Sequence, residues 1–321
     1  KGHNYHLTDV KGARAVLALL TQYGNFQLGA DVRNEHIYST VLGNALNVAV
    51  QNKFDKDIYF TKASQRFLPG FFADYALSIQ HLFVSAGLSQ TFSSQFGDFT
   101  AGGFEVAYHF TDNFKVFVLA NSAVRLPTFT DLYYKSATQN ANPDLRPEHA
   151  RTIELGTKFE KKNMKFSGAL FYRMGGNVID WVKEPDSTRW ESRNLTEVNV
   201  FGIDFSTEYR FHTSFIKKMA LSYSFLTMDK SAGSYDSKYA LDYLKNKLIL
   251  SADHNLYKSL YASWKLSYID RAGDYTDFKT GEKIKYAPYF MADVRLQWSK
   301  ASYDLYLDLN NVADVQYADF G

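Results

Sequence analysis

The histidines are the residues of this 321-residue chain most able to bind a metal ion or to transfer a proton near neutral pH. There are eight of them: His3, His6, His36, His81, His109, His149, His212 and His254. Their separations along the chain do not match the short spacings at which metal ligands recur in known sites. We interpret each one as an ordinary polar residue of a strand or turn, so the sequence predicts no metal site and no cofactor.

Other reactive combinations are equally sparse. Asp274, Asp277 and Glu282 have carboxylates that suit Ca²⁺, but their spacing lacks the alternating oxygen ligands of a calcium-binding loop, and we interpret them as solvated charges. The absence of cysteine excludes disulfides, thiolate metal sites and cysteine nucleophiles. No catalytic residues are recognisable as a Ser-His-Asp set, a phosphate-binding glycine loop or paired carboxylates. The sequence therefore does not predict an enzyme, although a hydrolase whose triad forms only in the fold stays open.

The composition points instead to long strands. Phe, Tyr and Trp number 26, 23 and 4, against only 6 Pro, a bias typical of strands with aromatic girdles. Lys and Arg total 36 against 34 Asp and Glu, and the net charge of +2 gives no field that would attract nucleic acid. No stretch approaches the ~18 consecutive apolar residues of a transmembrane helix.

Hydrophobicity repeats every second residue, as in a strand whose side chains point alternately to two faces. In residues 289–299, Phe290, Val294 and Trp298 lie on an apolar face, and Asp293 and Arg295 lie on the opposite, polar face. The same separation recurs in residues 201–211, 260–268 and 304–309. About fourteen such segments follow one another, each roughly nine to fifteen residues long.

These segments are too long for most soluble sheets, because soluble strands usually have ~5–6 residues and a tilted membrane-spanning strand needs ~9–11. In lipid, every backbone donor and acceptor must be paired within the protein, so the strands must close into a barrel. The sequence predicts an all-β, transmembrane, antiparallel up-and-down β-barrel with an apolar face toward lipid and a polar face toward the lumen. A soluble sandwich or propeller with an aromatic core is the alternative.

The connections between the strands alternate in length, as in outer-membrane barrels, which join strands by short periplasmic turns and longer outward loops. Short turns are predicted at 23–25, 111–113, 161–163, 257–259 and 300–302. Long polar loops are predicted at 40–55, 126–149, 184–196, 228–243 and 272–286. This alternation favours the membrane barrel over the soluble alternative.

Residues 114–159 contain a strand, a long loop and the next strand, and the loop carries a distinctive set of residues. They are Arg125, Leu126 and Pro127; Asp131, Leu132, Tyr133 and Tyr134; Asn142, Pro143, Asp144, Leu145, Arg146, Pro147 and Glu148; then Glu154, Leu155 and Gly156. This order of Arg-x-Pro, Asp-Leu-Tyr, Asn-Pro-x-Leu-x-Pro-Glu and Glu-x-Gly resembles the TonB-dependent receptors of bacterial outer membranes. Because three prolines fix φ and remove backbone donors, we interpret the loop as a rigid structural signature and not as a ligand motif.

Residues 194–205 and 308–317 also resemble strands of this family, and residues 239–256 resemble vitamin B12 receptors of the Bacteroidetes type. The resemblance implies a barrel of roughly 22 strands, filled by a separate plug. No plug is recognisable in the sequence, and the chain ends at Asp319, Phe320 and Gly321 with no room for a closing strand. We therefore expect residues 1–321 to be one partial barrel domain without its N-terminal plug and final strand. A smaller barrel of about fourteen strands is the alternative.

The resemblance further implies location in the outer membrane of a Gram-negative bacterium and TonB-dependent import of a scarce, large nutrient, either cobalamin or a ferric siderophore. Expected partners are outer-membrane lipid, the TonB complex acting through the plug, the nutrient, and a surface lipoprotein. Haem receptors of this family carry a histidine between the Arg-x-Pro and Asn-Pro elements. Residues 128–141 contain no histidine, so the resemblance disfavours haem as the cargo. A passive channel without a plug and an outer-membrane hydrolase remain alternatives.

Aromatic residues in the outward loops are the candidates for cargo contact, because rigid rings bind large ligands at little cost in entropy. The candidates are Tyr133, Tyr134, Trp190, Tyr235 and Tyr275. The alternative is that these rings belong to the aromatic girdle at the membrane interface.

Overall fold

The computed structural model describes residues 3–184, 187–212, 215–231, 235–237, 243–277 and 279–318. Within these ranges lie one short helix, α1 (Phe129–Tyr133), and the strands β1 (His6–Thr21), β2 (Gly24–Ser39), β3 (Asn44–Gln51), β4 (Tyr59–Ile79), β5 (Leu82–Ser93), β6 (Gly97–Thr111), β7 (Phe114–Arg125), β8 (Gln139–Asn140), β9 (Glu148–Lys161), β10 (Met164–Lys183), β11 (Trp190–Arg210), β12 (Ile216–Ser231), β13 (Asp236–Ser237), β14 (Tyr243–Tyr257), β15 (Leu260–Ala272), β16 (Asp274–Thr276), β17 (Lys283–Lys285), β18 (Tyr289–Ser299) and β19 (Asp304–Leu309).

The long strands form an antiparallel meander in which each pairs with the next along the chain. The strands of the meander are β1, β2, β4 to β7, β9 to β12, β14, β15, β18 and β19, fourteen in all. The predicted all-β, up-and-down architecture is therefore confirmed. Among the described residues, β1 pairs only with β2 and β19 only with β18, so the sheet is a curved wall with two open edges. The residues 319–321, on which the prediction about the closing strand rested, lie outside the described part of the chain.

The two faces of the wall differ as the alternation predicts. On β18, Phe290 and Trp298 are 71% and 45% exposed, an arrangement that water would oppose and that hydrocarbon favours. The opposite face carries charges, and the Arg295 guanidinium bonds Asp308 of β19 at 2.5 Å and 2.9 Å. The apolar face is thus the lipid face, and the charged face is the lumen face.

The lumen face departs from the simple pattern where a phenylalanine lies flat on a glycine of the adjacent strand. The pairs are Phe72 with Gly29, Phe117 with Gly156, and Phe171 with Gly202. A Cβ on Gly156 would lie 2.2 Å from a ring carbon of Phe117, so only glycine leaves room for the ring. Packing of the Phe117 ring therefore explains why the Glu-x-Gly element has a glycine at position 156.

The short connections 22–23, 80–81, 112–113, 162–163, 258–259 and 300–303 all lie at one end of the sheet, which is the periplasmic end by the length rule. The outward connections are longer, except that residues 94–96 join β5 to β6 directly. The prediction of strict alternation is wrong at this point. Each of the five predicted loops is also partly strand: β3 lies within 40–55, β8 within 126–149, β13 within 228–243, β16 and β17 within 272–286, and β11 begins at Trp190.

The outer ends of several strands rise well above the membrane. β4, β10 and β11 have 21, 20 and 21 residues, whereas ~9–11 residues cross the hydrocarbon. Their outer halves extend the wall beyond the hydrocarbon, on the side of the outward loops. No helix in the described ranges has the length and apolar character needed to cross a membrane.

Candidate functional site

The loop between β7 and β9, residues 126–147, is an ordered structure, which we call the signature loop. It contains α1, whose first turn is closed by a capping box: the Thr128 side chain accepts a bond from the Asp131 N–H at 3.1 Å, and the Asp131 carboxylate accepts one from the Thr128 N–H at 3.0 Å. This helix was not predicted. The sequence signal for it was the Thr-x-x-Asp spacing ahead of the buried Leu132.

An ion pair closes the base of the signature loop. The Arg125 Nε donates to Glu148 Oε2 at 2.6 Å, its Nη2 donates to Oε1, and this bonding raises the pKa of Arg125. Glu148 Oε1 also accepts the backbone N–H of Ile179 on β10 at 2.6 Å. One carboxylate therefore ties together both ends of the loop and the neighbouring strand.

The interior of the signature loop is apolar and packs on the wall in two places. Leu132 and Leu145 pack with Ile179, and Phe129 packs with Ile37 and Leu42 on the other side. Ile37 lies an even number of positions along β2 from the lumen-facing Gly29, so its side chain lies on the lumen face. The loop thus folds inward across the mouth, from β2 and β4 to β10 and β11.

A buried arginine lies beneath α1. The Arg66 residue is 5% exposed, and its guanidinium carbon lies 4.1 Å from the centroid of the Phe129 ring and 5.9 Å from that of Phe96. Its nearest carboxylate is Glu35, at 3.6 Å from Nε, and this Nε has no hydrogen-bond partner within the described ranges. Sequence reasoning missed Arg66, because nothing local marks it as different from other lumen charges.

Two polar side chains of β11 bond the backbone of the signature loop. The Ser192 hydroxyl donates to the Asp131 carbonyl at 2.7 Å and accepts the Asn142 N–H at 2.8 Å. The Asn194 amide accepts the Arg146 N–H at 2.9 Å and donates to the Arg146 carbonyl, also at 2.9 Å. Sequence reasoning also missed these two contacts.

The structure brings together two of the five candidate contact rings. Tyr133 ends α1, Tyr134 caps it, and both pack against the Ile37 cluster with partial exposure. Ser64 donates a hydrogen bond to the Tyr133 hydroxyl at 3.3 Å. A cavity of about 530 Å³ adjoins Tyr133, lined by His36, Asn44, Ala63, Ser64, Gln65, Ser94 and Gln95.

The other three candidates were predicted in loops, and two of those assignments are wrong. Trp190 begins β11, where the Lys183 ammonium lies 5.2 Å from the ring centroid, and Tyr275 lies in β16, with its ring 5.4 Å from that of Tyr286. Trp190 pairs with Gln139 of β8 and Tyr275 pairs with Ile284 of β17, so in both cases short strands form inside a stretch that its polar composition marks as loop. Tyr235 precedes β13, and its hydroxyl accepts a bond from Arg193 at 2.7 Å.

The remaining family-signature residues are structural parts of the same loop. Pro127 is fully buried, Pro143 lines a cleft with Lys135 and Arg193, and Pro147 directly precedes β9. Within the described ranges, no three His, Asp or Glu side chains come together as a metal site requires. The arrangement offers rings, amides and ion pairs to a ligand, so it suits binding.

A long antiparallel meander with an apolar outer face, a charged lumen face and an inward-folded outer loop defines the wall of an outer-membrane β-barrel. The profile of the TonB dependent receptor-like β-barrel family matches residues 2–312, and the chain belongs to this family of the Gram-negative outer membrane.

Relatives agree with this family membership. The vitamin B12 transporter BtuB of Photobacterium profundum is 26% identical over 106 residues, which are 32% of this chain and 17% of that protein. The copper transporter OprC has a TM-score of 0.75 at 11% identity, covering 98% of this chain and 52% of its own. The FrpB iron transporter of Neisseria meningitidis has a TM-score of 0.72 at 17% identity, covering 99% and 52%. The chain spans about half the length of these solved structures, and at such identity the likeness shows the fold alone.

Proposed function

We propose that the receptor containing this chain imports a scarce, large nutrient, cobalamin or a ferric siderophore, across the outer membrane with energy supplied through TonB. The observation that carries the proposal is the family match across residues 2–312. The stretch of 26% identity to a vitamin B12 transporter supports cobalamin as one of the two cargoes. In this proposal the wall is scaffold and conduit, and a plug contributed by the rest of the receptor engages TonB.

The mouth of the wall has the features expected of a cargo surface. Tyr133 and Tyr134 are held on a rigid loop, so their rings lose little conformational freedom when a ligand binds. The adjoining cavity of about 530 Å³ is lined mainly by amides and hydroxyls, which suit a large polar ligand. In this proposal Trp190, Tyr235 and Tyr275 are further contacts for the cargo. A surface lipoprotein that delivers cargo from outside is a further partner of the receptor.

Uptake by the receptor expressed from its complete gene tests the proposal. A Gram-negative host without its own cobalamin and siderophore receptors should accumulate labelled cyanocobalamin or a labelled ferric siderophore only when both the receptor and TonB are present. Equal uptake without TonB contradicts energy coupling and supports the passive channel. Uptake of neither cargo contradicts the proposed substrates.

Conductance separates the two transport mechanisms independently. A receptor closed by a plug should give no large steady current in planar bilayers, whereas a passive channel conducts continuously. The hydrolase alternative requires turnover of lipid or peptide substrates that disappears when one nucleophile is replaced.

A further inference from the structure

Ser192 and Asn194 of β11 stand out because they bond a loop about fifty to sixty residues away and belong to none of the sequence elements that mark that loop. Ser192 is completely buried. Both residues lie an even number of positions from Gly202, so their side chains share its lumen face and point toward the mouth. The contacts are therefore made on the side where cargo would enter.

The Ser192 hydroxyl completes a compact set of bonds at the end of α1. The Asp131 carbonyl accepts from the Ser192 hydroxyl at 2.7 Å and from the Asn142 N–H at 3.3 Å, and that N–H also lies 2.8 Å from the hydroxyl oxygen. A five-residue helix is too short to be stable alone, and its last carbonyls need partners from outside. Ser192 supplies such a partner to the carbonyl of Asp131, which lies two residues before Tyr133.

Asn194 holds the other arm of the same loop. Its side-chain NH2 group donates to the carbonyls of both Arg146 and Asn177, at 2.9 Å and 2.7 Å, and its side-chain oxygen accepts the Arg146 N–H at 2.9 Å. The side chain therefore bonds Arg146 in both directions and also bonds β10. With Ser192, it fixes both arms of the signature loop to one strand.

We propose that Ser192 and Asn194 are positioning residues for cargo binding: they fix the signature loop to β11 and thereby set where Tyr133 and Tyr134 present their rings. This inference rests on the proposed function. Ordering the loop in advance lowers the conformational cost that binding would otherwise carry. Because the bonds lie above the membrane-spanning part of the wall, the barrel itself does not depend on them.

Ser192→Ala in the complete receptor is the direct test, with Ser206→Ala as the matched control. Ser206 lies on the same face of the same strand and bonds Ser167 at 2.7 Å, so its replacement also deletes one hydroxyl, but without contact to the loop. Cyanocobalamin and a ferric siderophore are the binding probes. Hydrogen exchange of residues 129–146 reports the order of the loop, and heat-modifiable gel mobility reports the assembled barrel.

We expect the affinity of Ser192→Ala for the probe to be about tenfold lower than that of the wild type. Hydrogen exchange in residues 129–146 should be faster, and the gel mobility should be unchanged. Ser206→Ala should match the wild type in all three measurements. Ser192→Thr, which keeps the hydroxyl, should restore binding to within about threefold. Asn194→Asp, which replaces the donor with an oxygen facing the carbonyls of Arg146 and Asn177, should lose at least as much as Asn194→Ala.

Unchanged exchange of the loop in both Ser192→Ala and Asn194→Ala overturns the proposal, as does an equal loss of binding in Ser206→Ala. If the wild type binds neither probe, the proposed cargo class is wrong, and exchange then decides the positioning role by itself. Faster exchange in the Ser192 and Asn194 variants supports that role, and unchanged exchange removes it.

Discussion

The Arg125 side chain gives a structural reason for the arginine of the Arg-x-Pro element. Its two parallel hydrogen bonds to Glu148 need the planar fork of a guanidinium, which an ammonium cannot reproduce. The Oε1 atom of Glu148 also accepts a hydrogen bond from the Ile179 N–H, so the carboxylate accepts three hydrogen bonds in all. The Arg-x-Pro and Pro-Glu elements of the sequence are therefore two halves of one contact.

Arg125→Lys should loosen the signature loop even though the charge is kept. We expect the free energy of local opening of residues 126–147 to fall by about 1 kcal/mol, a modest value because Arg125 is half exposed. Hydrogen exchange of this segment measures the change. Lys11→Arg, at an exposed pair with Asp9 on β1, is the control and should leave exchange in the loop unchanged.

Tyr133→Ala and Tyr134→Ala test the proposed cargo contacts. Each should weaken binding of the transported nutrient by about tenfold or more, since a ring contributes large contact area at low entropic cost. Equilibrium binding to the purified receptor measures the effect. Tyr23→Ala, at a periplasmic turn on the opposite side of the membrane, should bind as the wild type does. Equal affinities in all variants would assign the loop rings to the interfacial girdle.

At the scale of the strands, the pairs of phenylalanine and glycine explain apolar rings on a charged face. Phe117 is 8% exposed although it lies in the lumen, because its ring covers Gly156 and has the ammonium groups of Lys115 and Lys158 at 6.0 Å and 5.8 Å. A ring laid across a glycine fills the gap between strands and fixes their register. The polar face therefore keeps its pattern with a few defined exceptions.

Gly156→Ala should destabilise the wall because the new Cβ would lie 2.2 Å from the Phe117 ring. We expect a cost of about 1–3 kcal/mol, as for overpacking in a core, measured as unfolding in urea from lipid vesicles. Gly103→Ala is the matched control, since the nearest atom to its Cβ would be at an ordinary 3.6 Å. A double variant with Phe117→Leu should recover part of the loss; strict additivity would show that the ring is not the cause.

At the scale of the whole molecule, the decisive property is that the two faces of one wall meet different solvents. On β10, Leu170 lies on the lipid face and the adjacent Ala169 lies on the lumen face, opposite Gly156 and Asp204. Leu170 is 45% exposed. Such exposure is stable in hydrocarbon, because there it needs no polar partner.

Leu170→Arg should therefore cost about 2–4 kcal/mol of folding free energy in a bilayer, as expected for an arginine near the midplane. Ala169→Arg, one residue away, should cost much less because the lumen is wet and Asp204 is paired to the same position. Unfolding titrations in vesicles compare the two. Similar costs would mean that the assignment of the faces is wrong.

The sequence alone predicts the fold class of this chain because the relevant information is local. Period-two alternation, strand length and the short turns each lie within a few residues, and the membrane turns them into one architecture by forbidding unpaired backbone. The signature loop is equally readable, since its prolines and its Arg-x-Pro and Pro-Glu elements lie within 24 residues, 125–148.

Only the tertiary structure decides what the signature loop contacts. Ser192 and Asp131 are 61 residues apart, and Arg66 meets Phe129 across four strands of the meander, so neither contact leaves a local pattern. The same holds for Trp190 and Tyr275, which polar composition assigns to loops but which backbone pairing places in strands. Side chains on one face of a strand look alike in sequence, and what they contact is fixed by the curvature of the wall and by the loop folded against it.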